Sequence, residues 1–328
     1  MAGNCLQNAI KTMNNSNYHR PTVDLLEPVD TCRTISVEDI GIPDSKSPLL
    51  RSVIDSDAFR KNTMSLPCAI GTTIDNEVFM FDLAEMPHLL IGGATGQGKT
   101  NCLHVIILSL LFSKSPEELK LVLIDPKGCE FEMYASRKDF LMRPQGCKQA
   151  IITDIDETAL ALNSLCKLMD KRYNLLKLGN ARNINEYNEN ITRDLLNHDG
   201  RYKYMPRIVM IIDEFADLKI ASGGKIETPL MRLAQLGHPV GIHLVIATQR
   251  PTYNIITGTI KANFPARIAF RVATRIESTV IIDYPDASKL TGKGDMLFSH
   301  LDLTRVQCAF VDEKEINRVV HFITQQQD

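Results

Sequence analysis

The chain has 328 residues, and its 37 Lys plus Arg against 39 Asp plus Glu give a formal net charge of −2. Because 44% of the residues are hydrophobic and 23% are charged, the chain can bury a large core, which excludes disorder for most of it. Proteins that coat nucleic acid without sequence preference usually carry a large basic excess, so near-neutrality excludes that class. A DNA-handling protein of this charge would need its cations concentrated locally.

The apolar runs and the cysteines predict a soluble, cytoplasmic chain. The longest apolar run, Cys102 to Phe112, is interrupted by polar residues and is too short to cross a bilayer. Residues 1–31 are polar and rich in Asn, unlike a secretion signal. The 8 cysteines form neither a C-x-x-C pair nor a zinc-binding pattern, as expected for reduced intracellular thiols.

The patterning divides the chain into an irregular segment, residues 1–52, and a large domain, residues 53–328. At the start of this domain, residues 52–81 are expected to form a strand-and-turn module, with turns at Gly71-Thr72-Thr73 and Asp75-Asn76. From residue 87, short β-rich runs alternate with helical stretches. That alternation is typical of an α/β fold with a mostly parallel sheet flanked by helices.

Hydrophobic periodicity places the main elements in chain order. Strands are expected at 88–92, 119–125, 208–213, 242–248, 268–272 and 306–311, and helices at 99–112, 157–178, 229–236 and 313–323. Gly179 is expected to end the long helix, since glycine often follows a last helical turn. The Asn-rich residues 182–188 are expected to form a surface loop, or a turn that faces DNA or a subunit interface.

A phosphate-binding loop is predicted between the first strand and helix of this region. The pattern G-x-x-x-x-G-K-[ST] is matched by Gly93, Ala94, Thr95, Gly96, Gln97, Gly98, Lys99 and Thr100. Its glycines let backbone N–H groups cradle phosphates at the positive end of the following helix. Lys99 would reach the β- and γ-phosphates of ATP, and the Thr100 hydroxyl would bind Mg²⁺. A chance glycine-rich loop is the alternative, which the flanking strand and helix disfavour.

Three further polar residues follow predicted strands. Asp213 ends the apolar run 208–212 and would hold Mg²⁺, while Glu214 could take a proton from the attacking water. A solvated loop or a helix N-cap is the alternative for this acidic pair. Gln249, after the strand at 242–248, could sense the γ-phosphate or orient water. Asp125 is either an acid near the phosphates or part of a strand-end turn.

Taken together, the ordered motifs resemble the motor of the FtsK/SpoIIIE double-stranded DNA translocases over about residues 53–323. The motifs that carry this resemblance, besides the phosphate-binding loop, are Met86-Pro-His-Leu-Leu90, Leu123-Ile-Asp-Pro-Lys127, Arg182-Asn-Ile-Asn-Glu-Tyr-Asn188, Asp213-Glu-Phe-Ala-Asp217, Arg232-Leu-Ala-Gln235, Gly241-Ile-His243, Ala247-Thr-Gln-Arg-Pro251, Ile256-Thr-Gly258, Ile260-Lys-Ala-Asn263 and Gly292-Lys-Gly-Asp-Met296.

The resemblance implies a RecA-type P-loop ATPase that assembles as a homo-hexamer around duplex DNA and pumps it during cell division and chromosome partition. The full family pattern adds a transmembrane N-terminal region, a smaller α domain and a γ domain that reads orientation sequences. This sequence matches neither the γ domain nor most of the α domain, so residues 1–52 are expected to hold a remnant of linker and α domain. A separate chain, anchored in the membrane or located at the division site, could then be a partner of this one.

Two departures from the family concern arginines. Where the family usually has an arginine that acts across the subunit interface, this sequence has His238, which cannot fork onto phosphate oxygens as arginine does. In a pore segment Thr279 stands where the family has a second arginine, while Arg275 stands where the family has a lysine and so retains a cation. A degenerate nucleotide-binding subunit with weak turnover therefore remains an alternative. A ring ATPase for protein export or conjugative coupling is another.

Positive charge is concentrated in residues 250–293, which hold 7 basic and 3 acidic side chains and so carry a charge of +4. Contacts between such basic side chains and DNA phosphates need no base recognition, which suits a motor that steps over any sequence. Arg250 and Arg275 are the predicted DNA contacts. Arg267 and Arg271 are expected to be structural or at a subunit interface, and an ordinary solvated face is the alternative for the whole stretch.

Overall fold

The computed structural model of the chain describes residues 18–28, 47–136, 139–193 and 202–327, so most of the expected irregular segment 1–52 lies outside the described residues. Within these ranges ten strands form one sheet. The strands are β1 (Pro67–Thr73), β2 (Val78–Asp82), β3 (His88–Gly92), β4 (Leu119–Ile124), β5 (Ile151–Ile152), β6 (Arg207–Ile212), β7 (Ile242–Thr248), β8 (Ala266–Phe270), β9 (Asp295–Ser299) and β10 (Leu303–Cys308).

Ten α-helices connect and cover these strands in the same ranges. They are α1 (Leu50–Ile54), α2 (Asp57–Arg60), α3 (Lys99–Ser113), α4 (Ile155–Leu178), α5 (Ile184–Thr192), α6 (Phe215–Ala221), α7 (Glu227–Leu236), α8 (Gly258–Asn263), α9 (Arg275–Ile282) and α10 (Glu313–Thr324).

The strand order is β2-β1-β10-β9-β8-β3-β7-β6-β4-β5. The six strands from β8 to β5 are parallel, and the four strands beyond β8 extend the sheet with antiparallel pairings. The predicted mostly parallel sheet is therefore confirmed. Parallel neighbours require crossover connections, and helices supply most of them here. As a result, the ends of β3, β6 and β7 that carry Gly93, Asp213 and Gln249 lie at one edge.

Burial explains why the central strands are apolar throughout. Every residue of β3 and β7 is buried, as expected where helices cover both faces of a parallel sheet. Helix α3 packs inside the core on one face, and its residues are apolar on nearly all sides. Helices α4 to α7 enclose a second core on the other face. The helix that follows the phosphate-binding loop is therefore held rigidly.

The strand-and-turn expectation for residues 52–81 is partly wrong. Gly71-Thr72-Thr73 is not a turn but belongs to β1, which pairs with β10 and so joins the main sheet. A Cβ added at Gly71 would lie 2.0 Å from the carbonyl oxygen of Gln307, so close strand pairing accounts for this glycine. The second predicted turn, at Asp75-Asn76, is confirmed, and Asn76 has a φ of 60°, a conformation that asparagine tolerates.

The loop expected at residues 182–188 is also wrong, because α5 begins at Ile184. Asn183 caps this helix by accepting a hydrogen bond from the Glu186 N–H at 3.0 Å. Helix α4 ends at Leu178 as predicted, but Gly179 has a φ of −81° and Asn180 takes the left-handed conformation with a φ of 49°. Asparagine therefore caps one helix and follows the end of another here, whereas the asparagine-rich composition had indicated a loop.

Other element boundaries differ from the predicted ones, and some elements were not predicted from the sequence. The strands expected at 268–272 and 306–311 begin earlier, at Ala266 and Leu303. Helix α9 was missed although Thr274 and Glu277 form a capping box at its start. Strand β9 was missed because it lies in the glycine-containing stretch that follows residue 291.

The residues before the expected boundary at 52 and 53 pack on the same core. Leu26 and Leu50 are buried in the same core as α3, and the Leu50 N–H donates to the Phe310 carbonyl at 2.9 Å. Helix α1 runs across the boundary, and the division into two regions remains a prediction. Among the described residues, none of the helices is both long and apolar enough to cross a membrane.

Candidate nucleotide-binding site

The predicted phosphate-binding loop lies between the end of β3 and the start of α3. Gly98 is the N-cap residue of α3 with a φ of 114°, and a Cβ there would lie 2.9 Å from the Gly294 backbone nitrogen. Glycine is therefore required both by conformation and by space. Two hydrogen bonds brace the loop: the Ala94 N–H donates to the Arg271 carbonyl at 3.0 Å, and the Gly294 N–H donates to the Gln97 carbonyl at 2.9 Å. Gly93 and Gly96, like Gly98, have positive φ values.

Lys99 folds back over this loop. Its side chain donates from Nζ to the Ala94 carbonyl at 2.9 Å, and the residue is only 4% exposed. Burial lowers the pKa of Lys99 to about 8, against the opposing effects of Glu214 and Asp213. A buried ammonium beside the backbone N–H groups of this loop favours the binding of phosphate oxygens.

Asp213 follows β6, and its N–H donates to the Ile124 carbonyl at 3.1 Å. The residue is 4% exposed, yet no group in the part of the chain that the structure describes donates a hydrogen bond to its carboxylate. Burial, together with the negative charges of Glu130 and Asp125, raises the pKa of Asp213 to about 7. Such a carboxylate is poised to bind a cation.

The residues present fit Mg²⁺. Mg²⁺ prefers oxygen ligands and keeps several waters, often using one or two protein oxygens plus substrate phosphates. The Asp213 carboxylate and the half-buried Thr100 hydroxyl have no described hydrogen-bond partner, so both oxygens are available. No cluster of three acidic, histidine or cysteine side chains in the described ranges could hold a metal by itself. Phosphate and water would complete the shell.

Glu214 lies one residue further on and has a different environment. Its Oε1 accepts from the Thr248 hydroxyl at 2.8 Å and the Ala216 N–H at 3.1 Å, and its Oε2 accepts from the Gln249 N–H at 2.9 Å. Glu214 is the N-cap residue of α6, so the N-cap alternative also describes it. A carboxylate has about four acceptor positions, which leaves one position on Oε2 for a further donor.

Gln249 closes the site on the β7 side. Its Oε1 accepts a hydrogen bond of 2.7 Å from the Thr95 hydroxyl, so the end of β7 is tied directly to the phosphate-binding loop. The structure thus brings together the predicted loop residues, Asp213, Glu214 and Gln249 at one edge of the sheet.

Asp125 forms a strand-end turn, and its charge also reaches the site, where it contributes to the raised pKa of Asp213. This fully buried carboxylate accepts from four backbone N–H groups, those of Lys127 at 3.1 Å, Gly128 at 3.0 Å, Glu130 at 2.7 Å and Phe131 at 3.1 Å. The turn brings the charges of Lys127 and Glu130 close enough to affect the pKa of Asp213. Sequence reasoning missed Glu130, because its position depends on β4 lying beside β6.

The predicted DNA-contacting arginines lie outside this site. Arg250 follows Gln249, is paired loosely with Asp217 at 3.7 Å, and keeps a side chain that is 63% exposed. Arg275 is the exposed first residue of α9. Arg267 and Lys261 are not free, because both pair with Asp283. Arg271 donates to the Thr291 carbonyl at 3.3 Å.

His238 lies in a short 3₁₀ helix (His238–Val240) just before β7. Gln249 follows the opposite end of this strand, which has 7 residues and so is about 20 Å long at roughly 3.3 Å per residue. His238 therefore cannot reach the nucleotide site of its own chain. A residue here could act only on the site of a neighbouring chain.

The loop, the buried lysine and the acids at the ends of parallel strands define a P-loop ATPase fold. Residues 49–253 match the FtsK/SpoIIIE family, and the chain belongs to that family.

Several relatives share this region at about 40% identity. The chain is 43% identical over 309 residues to "DNA translocase FtsK" of Chlorobaculum tepidum, covering 93% of this chain and 37% of that protein. It is 40% identical over 294 residues to the Helicobacter pylori (strain J99) protein of the same name, covering 88% and 33%. The chain thus spans little more than a third of the length of these relatives.

Two solved structures share the fold. The conjugation coupling protein TcpA of pCW3, in monomer form with ATPgS, is 28% identical with a TM-score of 0.66, over 80% of this chain and 71% of that chain. The cytoplasmic domain of the Type VII secretion ATPase EccC of Thermomonospora curvata is 25% identical with a TM-score of 0.70, over 85% and 34%. One of them binds ATPgS and the other is named an ATPase, in agreement with the predicted fold class.

Proposed function

We propose that this chain is the ATPase motor of a double-stranded DNA translocase that uses ATP and Mg²⁺. The observation that carries the proposal is that Gln249 bonds to the phosphate-binding loop, while Asp213 lies close enough to Lys99 of that loop to affect its pKa. Relatives named DNA translocase support the substrate, and the TcpA structure with ATPgS supports the nucleotide.

The residues of the site have distinct roles in this proposal. Backbone N–H groups of residues 93–100 and the Lys99 ammonium bind the phosphates, and Thr100 with Asp213 holds Mg²⁺, which would neutralise phosphate charge. The free acceptor position of Glu214 receives the proton of the attacking water. Gln249 orients that water, since it already lies between Glu214 and the loop.

DNA contact falls to Arg250 and Arg275 in the same proposal. Both cations are exposed, and Arg250 is adjacent to Gln249, so a movement at the nucleotide reaches it through one peptide bond. The family resemblance adds a homo-hexameric ring around duplex DNA and a role in cell division and chromosome partition. A membrane-anchored or division-site partner, and a cytoplasmic location, belong to the same proposal.

Lys99→Ala tests the nucleotide site. We expect it to weaken ADP binding, measured by calorimetry, by at least about 100-fold, because it removes a charge-assisted contact with phosphate. Lys148→Ala, at an exposed lysine distant in sequence from the loop, is the matched control and should bind ADP like the wild type. Unchanged ADP affinity in Lys99→Ala would reject the site.

A second candidate is a ring ATPase for conjugative coupling or protein export, favoured by the names of the two structural neighbours. The experiment that separates the candidates is ATP hydrolysis with linear duplex DNA and, in parallel, with a secretion substrate. Stimulation by the secretion substrate alone would favour the second candidate.

A further inference from the structure

The starting point is the unpartnered carboxylate of Asp213. It is 4% exposed, and none of the described residues donates a hydrogen bond to it. A buried carboxylate without a donor is costly, so a native protein retains one where a ligand supplies the missing interaction. Its position beside the phosphate-binding loop indicates that this ligand is a cation that binds with the nucleotide.

A second carboxylate is brought to the same place by the turn after β4. Strands β4 and β6 pair in register, with Ile124 opposite Ile212, so the turn starts beside Asp213. The four N–H bonds to Asp125 fix the turn, and the fully buried Phe131 anchors its end. The backbone of Glu130 is therefore held in place independently of its side chain.

Glu130 is one of the charged neighbours of Asp213. The N–H of Glu130 donates to the Asp125 carboxylate at 2.7 Å, and the negative charges of Glu130 and Asp125 both raise the pKa of Asp213, whereas Lys127 lowers it. The Glu130 side chain is half-buried, and the contact the structure gives its carboxylate is a weak one of 3.9 Å from the Cys129 thiol. Its oxygens thus remain available as acceptors.

The two glutamates near Asp213 serve opposite sides of it. Glu214 is directed toward β7, where its bonds to Thr248 and Gln249 fill most of its acceptor positions. Glu130 comes from the β4 side and has no such bonds. The carboxylates of Asp213 and Glu130, which the backbone holds near each other, repel each other unless a cation lies nearby. A hydrated divalent cation at Asp213 would relieve that repulsion, and its water ligands need acceptors.

We propose that Glu130 accepts hydrogen bonds from the water ligands of the Mg²⁺ that Asp213 binds, and so positions the metal. Glu130 is a positioning residue in this account, and the account rests on the proposed nucleotide site. Groups that hold metal ligands in place typically contribute about 10- to 100-fold to metal affinity.

The test measures ADP affinity of the intact chain by calorimetry, with Mg²⁺ titrated from zero in the presence of EDTA to saturation. For Glu130→Gln we expect ADP affinity without Mg²⁺ to match the wild type, while the Mg²⁺ concentration for half of the full enhancement rises about 10-fold. Glu132→Gln makes the same change of charge two residues away, on an exposed side chain, and should behave as the wild type.

Three outcomes would overturn the proposal. An Mg²⁺ dependence in Glu130→Gln equal to that of the wild type would show that Glu130 does not act on the metal. An equal loss of ADP affinity with and without Mg²⁺ would assign Glu130 to the nucleotide or to folding. If the wild type itself binds no ADP, the proposed function fails, and this inference fails with it.

Discussion

Glu214 and Thr248 are joined by a hydrogen bond of 2.8 Å between the ends of two neighbouring strands, and neither residue is more than 2% exposed. The bond connects the acid after β6 to the strand that carries Gln249. Because all three donors of Glu214 are protein groups, the carboxylate is held in one orientation.

Thr248→Val should therefore lower the free energy of unfolding by about 1–3 kcal/mol, because it keeps the shape but removes a donor from a buried carboxylate. Urea unfolding measures this. Thr252→Val, at an exposed position four residues on, should change stability by less than about 0.5 kcal/mol. Equal stability of the two variants would contradict the assigned bond.

Glu214→Gln should reduce ATP turnover by about 100-fold or more, because the amide cannot accept a proton from water. ADP affinity should stay within about twofold of the wild type, since Glu214 has no proposed contact with the nucleotide. Steady-state hydrolysis and calorimetry on the same preparation separate the two effects. Full turnover in this variant would remove Glu214 from the catalytic residues.

Arg250→Ala and Arg275→Ala should each weaken binding of duplex DNA and reduce the slope of log affinity against log salt by about 0.9, as loss of one phosphate contact predicts. Titrations of labelled DNA at several salt concentrations provide the slope. The control is Arg193→Ala, because the Arg193 side chain is 63% exposed, like that of Arg250. A slope change in the control equal to that in the two variants would reject the assignment.

His238→Arg should increase DNA-stimulated hydrolysis about 10-fold or more if a neighbouring chain receives the new cation, since arginine forks onto phosphate oxygens and histidine does not. Burial lowers the pKa of His238, so the native side chain is largely neutral at pH 7. His321→Arg, at an exposed position on α10, should leave hydrolysis unchanged. Unchanged turnover in His238→Arg would dismiss the idea that a missing arginine limits this chain.

Stability should depend on pH through His88. Burial lowers the pKa of this residue to about 3, from about 6.5 in an unfolded chain, so below pH 6.5 the unfolded state binds a proton that the folded state does not. The free energy of unfolding should fall on this account by up to about 1.4 kcal/mol per pH unit as the pH drops toward 3. His88→Leu should flatten that slope between pH 6 and pH 4, whatever its effect at pH 7. An unchanged slope would contradict a buried neutral His88.

Much of the fold could be predicted from the sequence because the central strands are continuous apolar runs and α3 follows a distinctive loop. The strands toward the edge of the sheet could not be predicted in the same way. The alternation in β1 and β2 looks like an independent hairpin, and only the register with β10 shows that Gly71 serves strand pairing. Residues 182–188 were expected to lack a helix because asparagine is frequent there, yet Asn183 caps one.

The residues of the site likewise fall into those that the sequence could predict and those that it could not. Residues within the motif and directly after strands, such as Lys99, Asp213 and Gln249, have local signals. Glu130 has none, because its position depends on a turn fixed by Asp125 and on the pairing of β4 with β6. The pairing of Arg267 and Lys261 with Asp283 is likewise a tertiary fact, and it reduces the free positive charge that the sequence alone would assign to DNA.

The most direct test of the account is ATP hydrolysis by the wild-type chain with and without linear duplex DNA, with particle mass measured in the same samples by light scattering. We expect hydrolysis to rise about 10-fold or more with DNA, in particles about six times the 36.8 kDa of one chain. Hydrolysis that is independent of DNA, in particles of one chain, would contradict a DNA-pumping ring.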